Sequence, residues 1–384
     1  MTPAELQSNE ELRRHEFPVV GEKIFLAHAA VCPLPRRIAE AVSNRARVGM
    51  LDDQEAALPG GYFSDTRRLI ADALKAQPSE IALVGPTSLA LSYIAGGLPW
   101  RKGQNVVIYH DDYPSNVYPW MALSDRGVQV RMLNVRELGR IRPFEVQGQV
   151  DEDTRLVALA SCHFISGWRL ELEALGKWLR SRGIWFCVDG IQTLGAFPTS
   201  VEWVDFLAAD SHKWLLGPCG AGVMYVRQEL QDKLQPMVYG WNNVRCPEFV
   251  AQEDLILRTD ARRYEVGSHS LLGLAGLRAA FALLEEVGVD AIAADLAAKR
   301  QFLSRALTAQ GCEVLFPELP PANTGGIVTF AHPQHNTTAL HTRLTAAGVV
   351  TSLRTTRDGR QWIRLSPHYY NTQAELERAL ELIP

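Results

Sequence analysis

Three short segments hold residue types that could do chemistry together. Asp189-Gly190-Ile191-Gln192 follows the apolar run IWFCV, Asp210-Ser211-His212-Lys213-Trp214 follows VDFLAA, and Gly85-Pro86-Thr87-Ser88 follows IALV. Each run has the composition of a buried strand, and open parallel sheets bind ligands just beyond the carboxyl ends of their strands. If the three ends converge, they supply a carboxylate, an amine and a hydroxyl-bearing helix start. A helix start offers unpaired N–H groups and a positive dipole end to an anion. A lysine that is partly desolvated, or close to other positive charge, reacts as a free amine. Taken alone, each segment has a plainer reading: Thr87-Ser88 as helix-cap residues, Asp189-Gly190 as a strand-end turn, Lys213 as a solvated loop lysine. Together they point to a ligand that needs an anion site, an acid and an amine at once.

A layered fold is needed to bring these ends together, and the chain alternates accordingly. Strand-like IALV (81–84), NVVIYH (105–110), VQVRML (128–133), TRLVALAS (154–161), IWFCVD (184–189), VDFLAAD (204–210) and GVMYVR (222–227) are separated by helix-like stretches. Among these are TSLALSYIAGGL, NVYPWMALSDRG and LELEALGKWLRSRG. Continuous apolar strands between helices predict a mostly parallel sheet covered on both faces, an α/β fold. SLLGLAGLRAAFALLEEVG (270–288) reads as a linking helix, followed by a smaller α+β region with strands near GIVTF (326–330) and QWIRLS (361–366). The expected division is a large α/β domain at 22–285, with 1–21 and 286–384 forming the small domain.

Composition narrows the class of function. The 384 residues are 47% apolar and 21% charged, enough chain for two domains with large cores. A net charge of −4 excludes a polycation built for nucleic-acid phosphates. No apolar run nears the roughly 18 residues that span a bilayer, and MTPAELQSNEELRRHEF lacks a signal-peptide core. The six cysteines lie far apart without a CxxC pair, so no metal site is expected and reduced thiols in a cytoplasmic protein are. A GxGxxG after the first strand, which a nucleotide-binding oxidoreductase would need, is missing.

Pyridoxal 5'-phosphate has the three requirements named above: donors for its phosphate, a carboxylate for its pyridine nitrogen, and a lysine for its aldehyde. The string VDGIQTLGAFPTSVEWVDFLAADSHKWLLGPCGAGVMYV resembles the signature of class-V aminotransferases, the family that includes cysteine desulfurases, kynureninase and isopenicillin N epimerase. FLAHAA (25–30), DDYPSNVYPW (111–120), RRYEVGS (262–268) and IRLSPHYYNT (363–372) resemble further family segments in the same order. The resemblance implies a fold-type I large domain with a seven-stranded sheet. It implies that Lys213 forms the internal aldimine and moves protons at Cα, that Asp189 pairs with the pyridinium, and that Gln192 bonds the ring oxygen. Thr87, Ser88, Ser211 and His212 would hold the phosphate, and Tyr113 would stack on the ring. Ser268, and Trp241 in YGWNN, would reach the site of a neighbouring subunit, which implies a homodimer with shared active sites. Arg364 would grip the α-carboxylate of an amino-acid substrate, with Arg354 a second candidate for that group or for a side-chain acid. His28 lies in the substrate-side segment, and a packed structural histidine is its competing reading.

Two departures bear on the reaction. Where one desulfurase subgroup carries its loop cysteine, this chain has TTRDGRQWI; Cys312 in GCEVLF looks like a buried residue at a strand start. In SCHFISG, Phe164 stands where many relatives have Asn, and His163 reads as structural. The reading that results is a lyase: β-elimination, such as C–S cleavage, without an enzyme persulfide. Aminotransfer to a keto acid and amino-acid epimerisation are the alternatives, and a non-catalytic cofactor-binding scaffold is the reading from another class.

Overall fold

The computed structural model, which describes residues 1–384, arranges thirteen strands in three sheets. In chain order they are β1 (Ile24–Phe25), β2 (Ile81–Val84), β3 (Asn105–Ile108), β4 (Gln129–Met132), β5 (Thr154–Ala160), β6 (Trp185–Asp189), β7 (Phe206–Asp210), β8 (Gly222–Val226), β9 (Glu313–Val314), β10 (Val328–Ala331), β11 (Val349–Val350), β12 (Ser352–Thr355) and β13 (Gln361–Leu365). The seven-stranded sheet has the order β2-β8-β7-β6-β5-β3-β4. Only β8 opposes the others, pairing antiparallel with both β7 and β2, so the expected mostly parallel sheet is what forms. Strands β6, β7 and β8 are buried at every residue, which is why they read as unbroken apolar runs. Successive side chains serve opposite layers. Phe186 and Val188 join the core with Leu277 and Phe281 of helix Leu271–Val287; Trp185 and Cys187 join the other core with Leu91 and Ile94 of helix Thr87–Gly97. Full burial of such side chains contributes about 1.5–3 kcal/mol each.

The smaller unit has an antiparallel sheet, β12-β13-β10-β9, backed by helices Thr337–Ala346 and Gln373–Glu381. Its relation to the chain differs from the expected division at both borders. Strand β1 pairs with β11 and Ala27 bridges Ser366, so residues 24–27 pair with the small unit although they lie inside 22–285. The connector is also a different helix. Leu271–Val287 packs into the large core; the following helix, Val289–Ala309, joins the units, with Ile292 and Leu296 in the large cluster and Leu303 and Leu307 in the small one. Between the two helices Gly288 sits at φ +84, with open space where a Cβ would be. The stretch expected as one helix after Asn116 is broken: Pro119 starts a single turn, Tyr118–Met121, and Ala122–Arg126 tightens to a 3-10 helix.

Candidate active site

The three segments converge. Strand β6 ends at Asp189 and its neighbour β7 ends at Asp210, three residues before Lys213, while helix Thr87–Gly97 starts just past β2. The turn that carries Lys213 is tightly determined. The Asp210 carboxylate accepts from Ser211 N–H at 2.7 Å and Gly220 N–H at 3.0 Å, and lies 2.9 Å from His212 Nδ1. Leu216, three residues on, is left-handed at φ 61, a conformation costly for a side chain with a Cβ and of a kind concentrated at functional sites. From the small unit, His368 Nε2 donates to Trp214 O at 2.9 Å while its Nδ1 accepts from Tyr369 N–H. Gly195, at φ +90, lets the 192–195 turn pack on Trp214: a Cβ there would meet Trp214 O at 2.6 Å.

Within this frame Lys213 is 6% exposed and its Nζ has neither an ion-pair nor a hydrogen-bond partner; it stands 5.1 Å from the centre of the Tyr113 ring. Burial lowers the amine to about 8, with Asp189 pulling the other way and Arg364 and Arg354 reinforcing the fall. Asp189 is equally isolated. Its carboxylate accepts only Ile191 N–H, at 3.1 Å, and burial raises its pKa against the opposing pull of Lys213. Gln192 is held at both ends, accepting from Trp214 Nε1 at 2.8 Å and donating to Ala29 O at 3.1 Å. Thr87 is buried and its hydroxyl accepts from Asp210 N–H at 2.8 Å. Pro86, not Thr87 or Ser88, is the N-cap, so no side chain caps this helix and the N–H groups of Thr87 and Ser88 stay unpaired. Ser88 is exposed.

The other wall is the β12–β13 hairpin, whose register sets Ser352 opposite Arg364 and Arg354 opposite Trp362. Arg364 is 1% exposed; it donates to Phe164 O at 2.6 Å and weakly to Ser352 Oγ at 3.4 Å, and no carboxylate pairs with it. Arg354 also lacks a carboxylate partner, and both guanidinium Nε–H groups are buried without an acceptor. Burial, and for Arg364 also the charge of Arg354, make both arginines less basic than usual. One buried and one half-buried guanidinium, neither paired with a carboxylate and both close to a free amine, favour an anionic ligand.

Several expected residues are placed elsewhere. His28 has no exposed surface, and both ring nitrogens are committed, Nδ1 to Ser366 O at 2.9 Å and Nε2 to Tyr370 Oη at 2.8 Å. It is therefore a packed histidine and not a substrate contact; burial holds its pKa down to about 3. Ser211 is likewise fully buried and donates its hydroxyl to Pro218 O at 2.7 Å, so it shapes the lysine turn and offers no hydroxyl to a phosphate. Trp241 lies on an exposed face against Phe249, with its Nε1 beside Gly267 and hence near Ser268. Ser268 is exposed at the rim of a 280 Å³ cavity that includes Gly85 and Gly220. Asp112, to which the sequence assigns no role, is buried and accepts from Tyr113 N–H, Asn116 Nδ2 and Ala160 N–H; burial and the nearby Asp189 push it up to about 7.

The family model for aminotransferase class-V matches residues 29–379. The chain is a class-V aminotransferase family member. A Pyrococcus abyssi relative named a probable cysteine desulfurase is 27% identical, with 96% of each chain aligned. The apo cysteine desulfurase of Thermococcus onnurineus superposes with a TM-score of 0.87 at 23% identity, over 97% of this chain and 96% of that one. The cystine C–S lyase C-DES, solved with cysteine persulfide, superposes with a TM-score of 0.85 at 22% identity, covering 95% and 98%. This class-V member is thus a fold-type I enzyme that uses pyridoxal phosphate. The residues fit that group: an isolated buried carboxylate for its ring nitrogen, an unpaired amine for its aldehyde, and an uncapped helix start for its phosphate. No helix is long and apolar enough to cross a membrane, and no cluster of metal-binding side chains occurs.

Proposed function

We propose that this class-V enzyme is a C–S lyase that eliminates a sulfur leaving group from the β-carbon of an α-amino acid, without an enzyme-bound persulfide. The observation that carries the amino-acid part is the pair of unpaired guanidinium groups opposite a free amine. Arg364 grips the α-carboxylate by its planar fork, and Arg354 meets a second acid on the substrate. That pairing suits a symmetrical disulfide amino acid, the substrate named for the C-DES neighbour. Bound pyridoxal phosphate supplies the electron sink for a bond broken at Cα. Asp189 keeps the ring nitrogen protonated, Gln192 and the Tyr113 face fix the ring plane, and His212, Thr87 and Ser88 with the open helix N–H groups hold the phosphate. Lys213 Nζ takes the Cα proton; the Cβ–S electron pair departs with sulfur, and water converts the freed enamine to pyruvate and ammonia.

The hairpin supports the no-persulfide part. Its tip, Thr356–Arg360, contains no cysteine, and Cys312 is buried at the start of β9. A homodimer belongs to the same proposal. Met50, Leu51, Phe249, Val250 and Leu255 are more than half exposed, and their cover by a second copy of the chain supports this part of the reading. Trp241 and Ser268 would then complete the partner's site, in a cytoplasmic enzyme. The test is to incubate the loaded enzyme with L-cystine, with and without a keto acid. Pyruvate, ammonia and a free persulfide in equal amounts, with protein mass unchanged, are expected. A 32-dalton gain on the protein, or an amino acid formed only with the acceptor, would reject the lyase assignment.

A further inference from the structure

The hairpin that carries Arg354 and Arg364 is also tied down at its tip, in a way that bond breaking at Cα does not require. Residues 356–360 form a tight turn: Thr356 N–H donates to Arg360 O at 2.9 Å and Gly359 N–H to Thr356 O at 2.8 Å. Asp358 braces it, accepting from Arg360 N–H at 3.1 Å. From this turn Arg357 crosses to the large domain, Nε donating to Asp111 Oδ1 and Nη2 to His110 O, each at 2.6 Å. The receiving segment is fixed from behind. His163 Nε2 donates to Asp111 O at 3.0 Å, its Nδ1 accepting from Ser166 N–H. Asp112 is then pinned to the end of β5 through Ala160 N–H, and Tyr113 follows directly. A second tie runs parallel, from Arg364 to Phe164 O, with the Phe164 ring edge-on to Tyr113 at 5.4 Å. Between the ties lies a cavity of about 300 Å³ whose lining includes Asp112, Phe164, Ile165, Thr355 and Arg357.

We propose that Arg357 and Asp111 form a latch between the domains. The latch sets how closely Arg354 and Arg364 approach the Tyr113 face, and so how tightly an amino acid is retained. Arg357 is a positioning residue; the latch rests on the reading of the two arginines as carboxylate grips, and not on which bond the enzyme breaks. A lone exposed ion pair is nearly neutral and is screened by salt. Here the guanidinium has a second acceptor in His110 O, and both ends of the contact lie in hydrogen-bonded turns, so breaking it should free the hairpin as a unit.

Two measurements decide the matter. The first is hydrogen exchange on the cofactor-free chain. Arg357→Ala should raise exchange in both 355–361 and 109–118, and Arg357→Lys should restore part of the protection. Faster exchange at the hairpin alone would overturn the latch. The second is stopped-flow titration of the loaded enzyme with L-cystine. Arg357→Ala and Asp111→Asn should each weaken initial binding about fivefold, the double variant no further than either, with kcat within about twofold of wild type. Additive losses, or unchanged binding, would refute the coupling. The exchange arm is read without substrate, so it judges the latch even where wild-type enzyme ignores L-cystine, an outcome that rejects the lyase assignment and not the latch.

Discussion

Lys213 shows how burial converts a common side chain into a reagent. An exposed lysine has a pKa near 10.4, so at pH 7 only about one in 2,500 is the free amine; lowered to about 8, Lys213 is roughly one-tenth neutral at pH 7. The rate at which cofactor-free enzyme takes up pyridoxal phosphate should therefore climb nearly tenfold per pH unit up to about 8 and level off above it. Stopped-flow uptake between pH 6 and 9.5 measures this, and a rise still undiminished from pH 8.5 to 9.5 would mean that the amine is not buried in solution. His28 gives a prediction of opposite kind. Replacing it by Phe strands Tyr370 Oη and Ser366 O and should destabilise the protein by about 1–3 kcal/mol at pH 7.5. Its folded pKa of about 3 lies below the unfolded value of 6.5, so the unfolded state binds the extra proton and wild type loses stability as pH falls below 6.5. The gap between wild type and His28→Phe should thus narrow by up to about 1.4 kcal/mol per pH unit between 6.5 and 3, measurable from urea midpoints at pH 7.5 and 5.5. At this scale the sequence singles out Lys213, Asp189 and the arginines as candidates, because each follows or sits on a recognisable strand. It does not disclose what His28, Asp112 and His368 bond to, because those partners come from contacts far along the chain: Ser366 and Tyr370 for His28, Ala160 for Asp112, Trp214 for His368.

If Arg354 and Arg364 grip carboxylates as proposed, the hairpin is the element on which specificity turns. Its register presents two guanidinium groups from adjacent strands, and separate substitutions should part their duties. Arg364→Ala should raise KM about 10–100-fold for any amino-acid substrate, the worth of charge-assisted bonds to a carboxylate. Arg354→Ala should do so for a substrate with two acids and much less for one with a single acid; steady-state kinetics on L-cystine and L-cysteine check the split. Equal losses on both would place Arg354 on the α-carboxylate as well. The strands themselves were legible because both faces of β6, β7 and β8 are covered, leaving continuous apolar runs ended by Asp189, Asp210 and Arg227. The helix Val289–Ala309 was not, since small alanines and scattered charges give it a weak apolar stripe. Its two halves also face different cores, a division no periodicity records.

At the scale of the molecule, the open apolar side chains set the next expectation. Leu51 is 87% and Phe249 77% exposed, and contact with a second copy would cover such groups. The double variant Leu51→Glu, Phe249→Glu should shift micromolar enzyme to monomer in sedimentation velocity and release bound cofactor; retention of the dimer would place the interface elsewhere. A change in pattern after Arg263 is what suggests a division into a larger and a smaller unit. The return of residues 24–27 to the small sheet was not legible, because a two-residue strand has no pattern to read. The glycine between the two long helices has a final consequence. Position 288 sits at φ 84 and ψ 118, a backbone conformation that glycine alone adopts readily, with vacant space beside it, so conformation, not volume, is what forbids a methyl group there. Gly288→Ala should therefore cost about 1–3 kcal/mol in a urea titration although nothing crowds the added carbon, and an unchanged midpoint would mean that the elbow between the units relaxes to another backbone angle.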